Sequence, residues 1–115
     1  MANIYIKPDS GYLQQSVIMN LPVGGDTYRT NLEIMYAEKT DNWLVSLYDV
    51  QTGKAFIENV PLVASYGKYN NLWASYRYKG IGRLYCVPIS DAPSTPDPTK
   101  DNLSEFYIVW SDGNG

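Results

Sequence analysis

The sequence predicts an all-β fold: a single small antiparallel sandwich or partly open barrel of about seven strands. Three observations predict it. Apolar residues recur at period two in several short runs. Clusters of turn-forming residues separate those runs. No segment keeps a helical period over about eleven residues. The clearest stretch is 32–63, LEIMYAEKTDNWLVSLYDVQTGKAFIENVPLV. It reads as strand, polar turn, strand, glycine turn, strand, with apolar runs centred on Ile34, Leu47 and Ile57.

Taken in order, residues 4–7 form a short run stopped by Pro8, Asp9, Ser10 and Gly11. Residues 13–21 put Leu13, Val17, Met19 and Leu21 on one side, with Gln14, Ser16, Asn20 and Ile18 on the other, the pattern of a half-buried strand. Pro22, Gly24, Gly25 and Asp26 break it. In residues 28–37, Tyr28, Thr30, Leu32, Ile34 and Tyr36 share a face opposite Arg29, Asn31 and Glu33. Residues 43–50 are apolar on both sides, Trp43, Val45 and Leu47 against Leu44, Tyr48 and Val50, which predicts a central strand covered on both faces. Residues 56–63 complete the meander, and Pro61 marks an edge or a bulge because proline cannot donate to a ladder.

Residues 64–82 are the least regular: Gly67, Asn70 and Asn71 suggest a loop, after which residues 73–78 are expected to extend again. Residues 83–89 are a further strand, with Pro88 again arguing for an edge or a bulge. Residues 91–102 hold three prolines and no large apolar side chain, the composition of a solvent-exposed, extended loop. A wholly apolar strand follows over 106–110. The expected organisation is one β domain over 1–115, with its core in about 12–110 and a flexible tail at 111–115.

Composition excludes much chemistry. There is no histidine, which removes Ser-His-Asp and Cys-His nucleophilic systems and most zinc sites. Cys86 is the sole cysteine and sits in an apolar run, so it is expected to pack as a small hydrophobe. No phosphate-cradling glycine motif occurs. Eight Asp and four Glu could supply a carboxylate pair, but most of the Asp fall in turns, where they cap their own backbone. No enzyme, cofactor or metal is expected. The N-terminal residues lack the apolar core of a signal peptide, and no run approaches the ~20 residues of a spanning helix. The chain is expected to be soluble and made in a cytosol.

Net charge is −3, which gives no overall attraction for nucleic acid or an anionic membrane. Charge is nevertheless segregated. Residues 1–58 carry four basic and seven acidic groups, 59–90 carry four basic and none acidic, and 91–115 carry one basic and five acidic. The basic segment also concentrates aromatics, and Tyr66, Tyr69, Trp73, Tyr76, Arg77 and Tyr78 are the candidate partner-binding residues. Three Trp, eleven Tyr and two Phe exceed what one small core can hide with every polar tip satisfied, so several must lie at the surface. The acidic loop and the basic segment could complement each other between copies.

The spacing of 32–63 resembles the small baseplate plug proteins of tailed bacteriophages. The residues that carry the likeness are Trp43, Leu47, Tyr48, Asp49, Gly53, Val60, Leu62 and Val63. Downstream come Gly82-Arg83-Leu84, Asp97-Pro98-Thr99, Asp101, Leu103 and the closing run 106–110. The chain departs from that pattern in the aromatic-rich 64–80 and at Ser104, where glycine is common. The resemblance implies a non-catalytic structural protein of the virion, in the tail baseplate near the hub. It would be made in the host cytoplasm, be present in several copies and pack on hub, tube or spike proteins, with no nucleic acid or membrane partner. Two readings compete with it: a glycan-binding β-sandwich that stacks sugars on Trp73, Tyr76 and Tyr78, and a barrel that binds single-stranded nucleic acid.

Overall fold

The computed structural model describes residues 3–9, 11–66 and 70–112. Its strands are β1 (Asn3–Ile6), β2 (Gln14–Val23), β3 (Asp26–Ala37), β4 (Asn42–Asp49), β5 (Ala55–Pro61), β6 (Arg83–Pro88) and β7 (Phe106–Ser111). They form two antiparallel sheets, ordered β2-β3-β4-β5 and β1-β7-β6. One apolar cluster lies between the sheets, which makes the molecule a sandwich rather than a closed barrel. The four-stranded sheet contributes Leu21, Leu32, Ile34, Trp43, Val45, Leu47 and Ile57, and the three-stranded sheet contributes Leu84, Cys86, Phe106, Ile108 and Trp110.

Strand alternation selects those inward residues, as the periodicity predicts. Thr30 is the polar member of the β3 inner face; its hydroxyl donates to the Met19 carbonyl at 2.8 Å and so tolerates full burial. The β2–β3 turn is Gly24-Gly25, with φ of 63° and 96°. Two positive φ values in a two-residue connection are the geometry whose twist matches the flanking strands. The β4–β5 turn is built around Asp49, whose carboxylate accepts from the Gln51 amide (3.0 Å) and the Thr52 hydroxyl (2.9 Å).

The expectation from Pro61 holds. Strand β5 is an edge strand, and its register against β4 shifts between Val45 and Leu47. Asn59 takes φ of 53° there, and its amide donates to the Ser46 hydroxyl at 2.9 Å. Pro88 likewise lies on the edge strand β6.

Three expectations need correction. First, β4 is central in its sheet but covered on one face only. Trp43, Val45 and Leu47 are buried, whereas Leu44 and Tyr48 on the other side are half-buried and Val50, just past the strand, is exposed. Among the described residues no second layer lies over that face, and apart from the small Ser46 its side chains are only partly covered.

Second, residues 73–78 do not extend. A 3-10 helix spans Ala74–Lys79 and ends at Gly80, which takes the left-handed conformation (φ 64°). Asn71 sets its start: the side-chain oxygen accepts from the Trp73 amide at 3.0 Å and from the Leu84 amide at 3.1 Å.

Third, residues 91–102 are mostly exposed, as expected, but they are bonded to the domain rather than a free extended loop. The Ala64 amide donates to Asp97 (2.8 Å), the Trp43 indole to the Thr99 carbonyl (2.7 Å) and the Lys100 amide to Asp41 (3.4 Å), while Pro98 and Asn102 are buried. Polar groups took the place of the missing large apolar side chains in fixing this loop. A second 3-10 turn, Leu103–Glu105, then leads into β7.

Between β5 and the first 3-10 helix the chain stitches the sheets together. The Leu62 amide still bonds to the Trp43 carbonyl on β4 (2.8 Å), Ala64 forms a parallel bridge with Cys86, and the Leu72 amide reaches the Leu84 carbonyl (2.8 Å). This segment covers the outer edge of β6, whereas β1 and β2 each stand at a sheet edge without a further strand. Ser111 belongs to β7, paired with Asn3 and Arg83; the predicted flexibility of 113–115 lies outside the described residues.

Candidate interaction surface

The six candidate residues separate by burial. Trp73 is fully buried in the core, and its indole nitrogen has no partner among the described residues. Its size and apolar area placed it inside, so it cannot present a stacking surface to a sugar or a base in this conformation. Tyr76 is half-buried and packs against the core cluster. Arg77 is exposed, and Tyr78 is 81% exposed. Tyr69 lies outside the described residues.

Tyr66 is exposed along its ring but tethered at its tip, where the hydroxyl donates to the Pro96 carbonyl. Burial first, then the Asp97 carboxylate, pushes its phenol above the ordinary value. It is thus tied to the 91–102 loop, while the other described candidates lie on or beside the 3-10 helix.

Lys79 organises that helix. Its ammonium donates to the Phe56 carbonyl on β5 at 2.7 Å and lies 5.6 Å from the Tyr76 ring centre and 6.0 Å from that of Tyr78. The short helix is thereby fastened to β5 at one side chain. Gly80 touches Gly24 at the tip of the β2–β3 hairpin, where a Cβ would meet the Gly24 nitrogen at 3.1 Å. The result is a fixed knob, Arg77 and Tyr78, on an otherwise ordered corner.

The surplus aromatics divide by type. Trp43, Trp73 and Trp110 are at most 3% exposed, whereas no described tyrosine is buried. Tryptophan carries one donor that a single carbonyl satisfies, as Ile81 does for Trp110 at 2.9 Å. Tyr5, Tyr48, Tyr85 and Tyr107 lie on the outer phases of their strands, while Tyr36 and Tyr76 pack against the rim of the core. On the three-stranded sheet Tyr5 and Tyr107 meet edge to face, with ring centres 6.2 Å apart.

Sequence reasoning did not single out the outer face of the four-stranded sheet. Its rows across the strands are Gln14, Met35 and Leu44, then Ser16, Glu33 and Ser46, then Ile18, Asn31 and Tyr48. Ile18 is 50% exposed and Met35 38%. A hollow of about 310 Å3 lies at Ile18, Asn31, Glu33, Tyr48 and Val50, beside a second of about 430 Å3 at Gln14, Ser16, Asn31 and Glu33. The signal was available: Ile18, Met35 and Leu44 are apolar residues in the polar phase of their strands.

Reactive groups are engaged in structure. The Cys86 thiol is buried, which pushes its pKa up to about 12 and leaves it un-ionised at neutral pH. Among the described residues no group of three or more acidic or Cys side chains could hold a metal ion.

A family model described as cyanophage baseplate Pam3 plug gp18 matches residues 2–113. No curated protein matches the chain.

Proposed function

The chain belongs to this phage baseplate plug family, and we propose that it acts in the tail baseplate as a non-catalytic part that works through contacts with other tail proteins. The observation that carries the reading is the family match, which spans nearly the whole chain rather than a local motif. The described chemistry supports it. Asp49 closes a hairpin, Asp97 and Asp41 receive backbone amides, and the thiol of Cys86 is sealed in the core. These four side chains serve to hold the shape of the domain.

In this reading the contacts are made by the tyrosine-bearing outer surfaces and by the knob of Arg77 and Tyr78, with Tyr66 and Tyr76 beside the same basic segment. Tyrosine and arginine concentrate at the centres of protein interfaces because they bring large area with few torsions. The partners are hub, tube or spike proteins, several copies sit in each virion, and synthesis takes place in the host cytoplasm. Internal hydrogen bonding of the 91–102 loop already uses Asp97 and Asp41, which leaves less of that loop free to complement a neighbouring copy.

Purified virions test the reading. Mass spectrometry should find the chain at a fixed ratio to hub protein, and labelled antibody should mark the tail end. Absence of the chain from washed, infectious particles would overturn it.

A further inference from the structure

We propose that the outer face of the four-stranded sheet, centred on Asn31, docks an extended segment of a partner tail protein. That segment places an apolar side chain beside Ile18 and a lysine or arginine toward Glu33 and Asn31. This rests on the reading that the chain works by docking to tail proteins, and it names the face and the chemistry of the occupant.

Three observations carry it. The Asn31 side-chain oxygen is shielded from water yet receives no hydrogen bond from the described residues. A buried acceptor is normally satisfied, so a missing donor at a surface hollow points to one arriving from outside. The hollow beside it is apolar on its flanks, where Ile18 and Val50 are 50% and 43% exposed. Exposed apolar side chains gathered on one face, with polar neighbours around them, characterise a contact surface.

The third observation is charge. Glu33 borders both hollows, and its carboxylate accepts a neutral hydrogen bond, from the Gln14 amide at 2.7 Å. Arg29 lies two residues before Asn31 on the same strand and phase, so the face is acidic toward Glu33 and basic toward its far end. An occupant would therefore bring its cation to the Glu33 end. The occupant is therefore a chain that brings a cation and donors to this end of the face.

The test uses the full chain, isotopically labelled, titrated with each of the tail proteins encoded in the same phage and purified separately. The side-chain amide signal of Asn31 should move on binding one of them. Ile18→Glu and Glu33→Lys should each weaken that binding at least tenfold while thermal unfolding stays close to that of the parent chain. Asn31→Leu, which removes the waiting acceptor, should weaken it severalfold. Binding that stays within twofold in all three variants would overturn the face and leave the baseplate reading standing. Failure of every tail protein to bind the parent chain would also overturn the inference, and absence of the chain from virions would then remove the baseplate reading as well. If the parent chain self-associates and Ile18→Glu abolishes that association, the occupant is a second copy and the assignment is wrong.

Discussion

The indole nitrogen of Trp43, on the buried face of β4, donates to the carbonyl of Thr99 at 2.7 Å, joining residues 56 apart in sequence. One side chain thus fills the core and fastens the 91–102 loop over the end of the sandwich. Trp43→Phe keeps most of the ring volume and removes the donor. Leaving a part-buried carbonyl without its partner costs about 1–3 kcal/mol. The urea midpoint should fall accordingly, and amide exchange at Thr99 and Asn102 should accelerate more than exchange in β3. Unchanged exchange in the loop would show that its other bonds hold it without the indole, among them the Thr99 amide to the Asn102 side-chain oxygen at 2.6 Å and the Ala64 amide to Asp97 at 2.8 Å.

Among the described glycines, Gly82 is the one least able to accept a side chain. Its φ is +100°, and a Cβ there would lie 2.5 Å from the Ser111 carbonyl oxygen and 2.9 Å from the Trp110 indole nitrogen. Gly82→Ala should cost about 3 kcal/mol or more, because backbone strain and a collision with β7 act together. Gly25 has φ of +96° with nothing within 4 Å of its Cβ position. Gly25→Ala should cost only about 1–2 kcal/mol, the conformational part alone. Chemical denaturation of the pair separates the two contributions; equal losses would contradict the collision.

Much of this fold was legible because period-two alternation reports which side of a strand faces the core, and turn residues report where strands end. Thr30, Leu32 and Ile34 were placed on the inner face from pattern alone, and Gly24-Gly25 formed the expected turn. What was not legible depended on long-range partners. Residues 91–102 were read by composition as solvated, yet Asp97 and Thr99 meet groups on Ala64 and Trp43 that no local pattern reveals. Trp73 was read as a partner-binding aromatic because it lies among the tyrosines of the basic segment, whereas the chain turns at Asn71 and the indole is buried in the core. Which of the candidate residues are exposed was therefore not legible residue by residue.

Tyr36 gives a pH dependence with a definite sign. Its hydroxyl donates to Asp41 at 2.5 Å, and this bond, followed by burial and the charge of Asp41, raises its pKa from 10 to about 12. A group whose pKa is raised on folding adds stability that is complete below its unfolded pKa and is lost as pH rises through the folded one. The contribution of Tyr36 should thus be full below pH 10 and disappear between pH 10 and about 12. Spectrophotometric titration should show a late-ionising tyrosine fraction that Tyr36→Phe reduces, leaving the contribution of Tyr66, whose phenol is also raised. The difference in urea midpoint between parent and variant should shrink across that interval, and a constant difference would contradict the linkage.

Trp73 and Tyr78 sit five positions apart in the same basic, aromatic segment, but the structure gives them opposite roles. Trp73 is 0% exposed and Tyr78 is 81% exposed. Trp73→Ala would open a large cavity in the core and should cost about 3–5 kcal/mol, enough to leave a domain of this size marginal or unfolded. Trp73→Phe, which keeps part of the volume and removes a nitrogen that has no partner among the described residues, should be much milder. Tyr78→Ala removes a solvated ring whose one described contact is the cation of Lys79, and should change stability by less than about 0.5 kcal/mol. In assembly the order should invert. A folded Tyr78→Ala chain should enter virions poorly when it competes with the parent chain during infection, while Trp73→Phe should enter in proportion to its folded fraction. Equal incorporation of Tyr78→Ala and the parent chain would remove Tyr78 from the contact surface and shift attention to the tyrosines of the sheet faces.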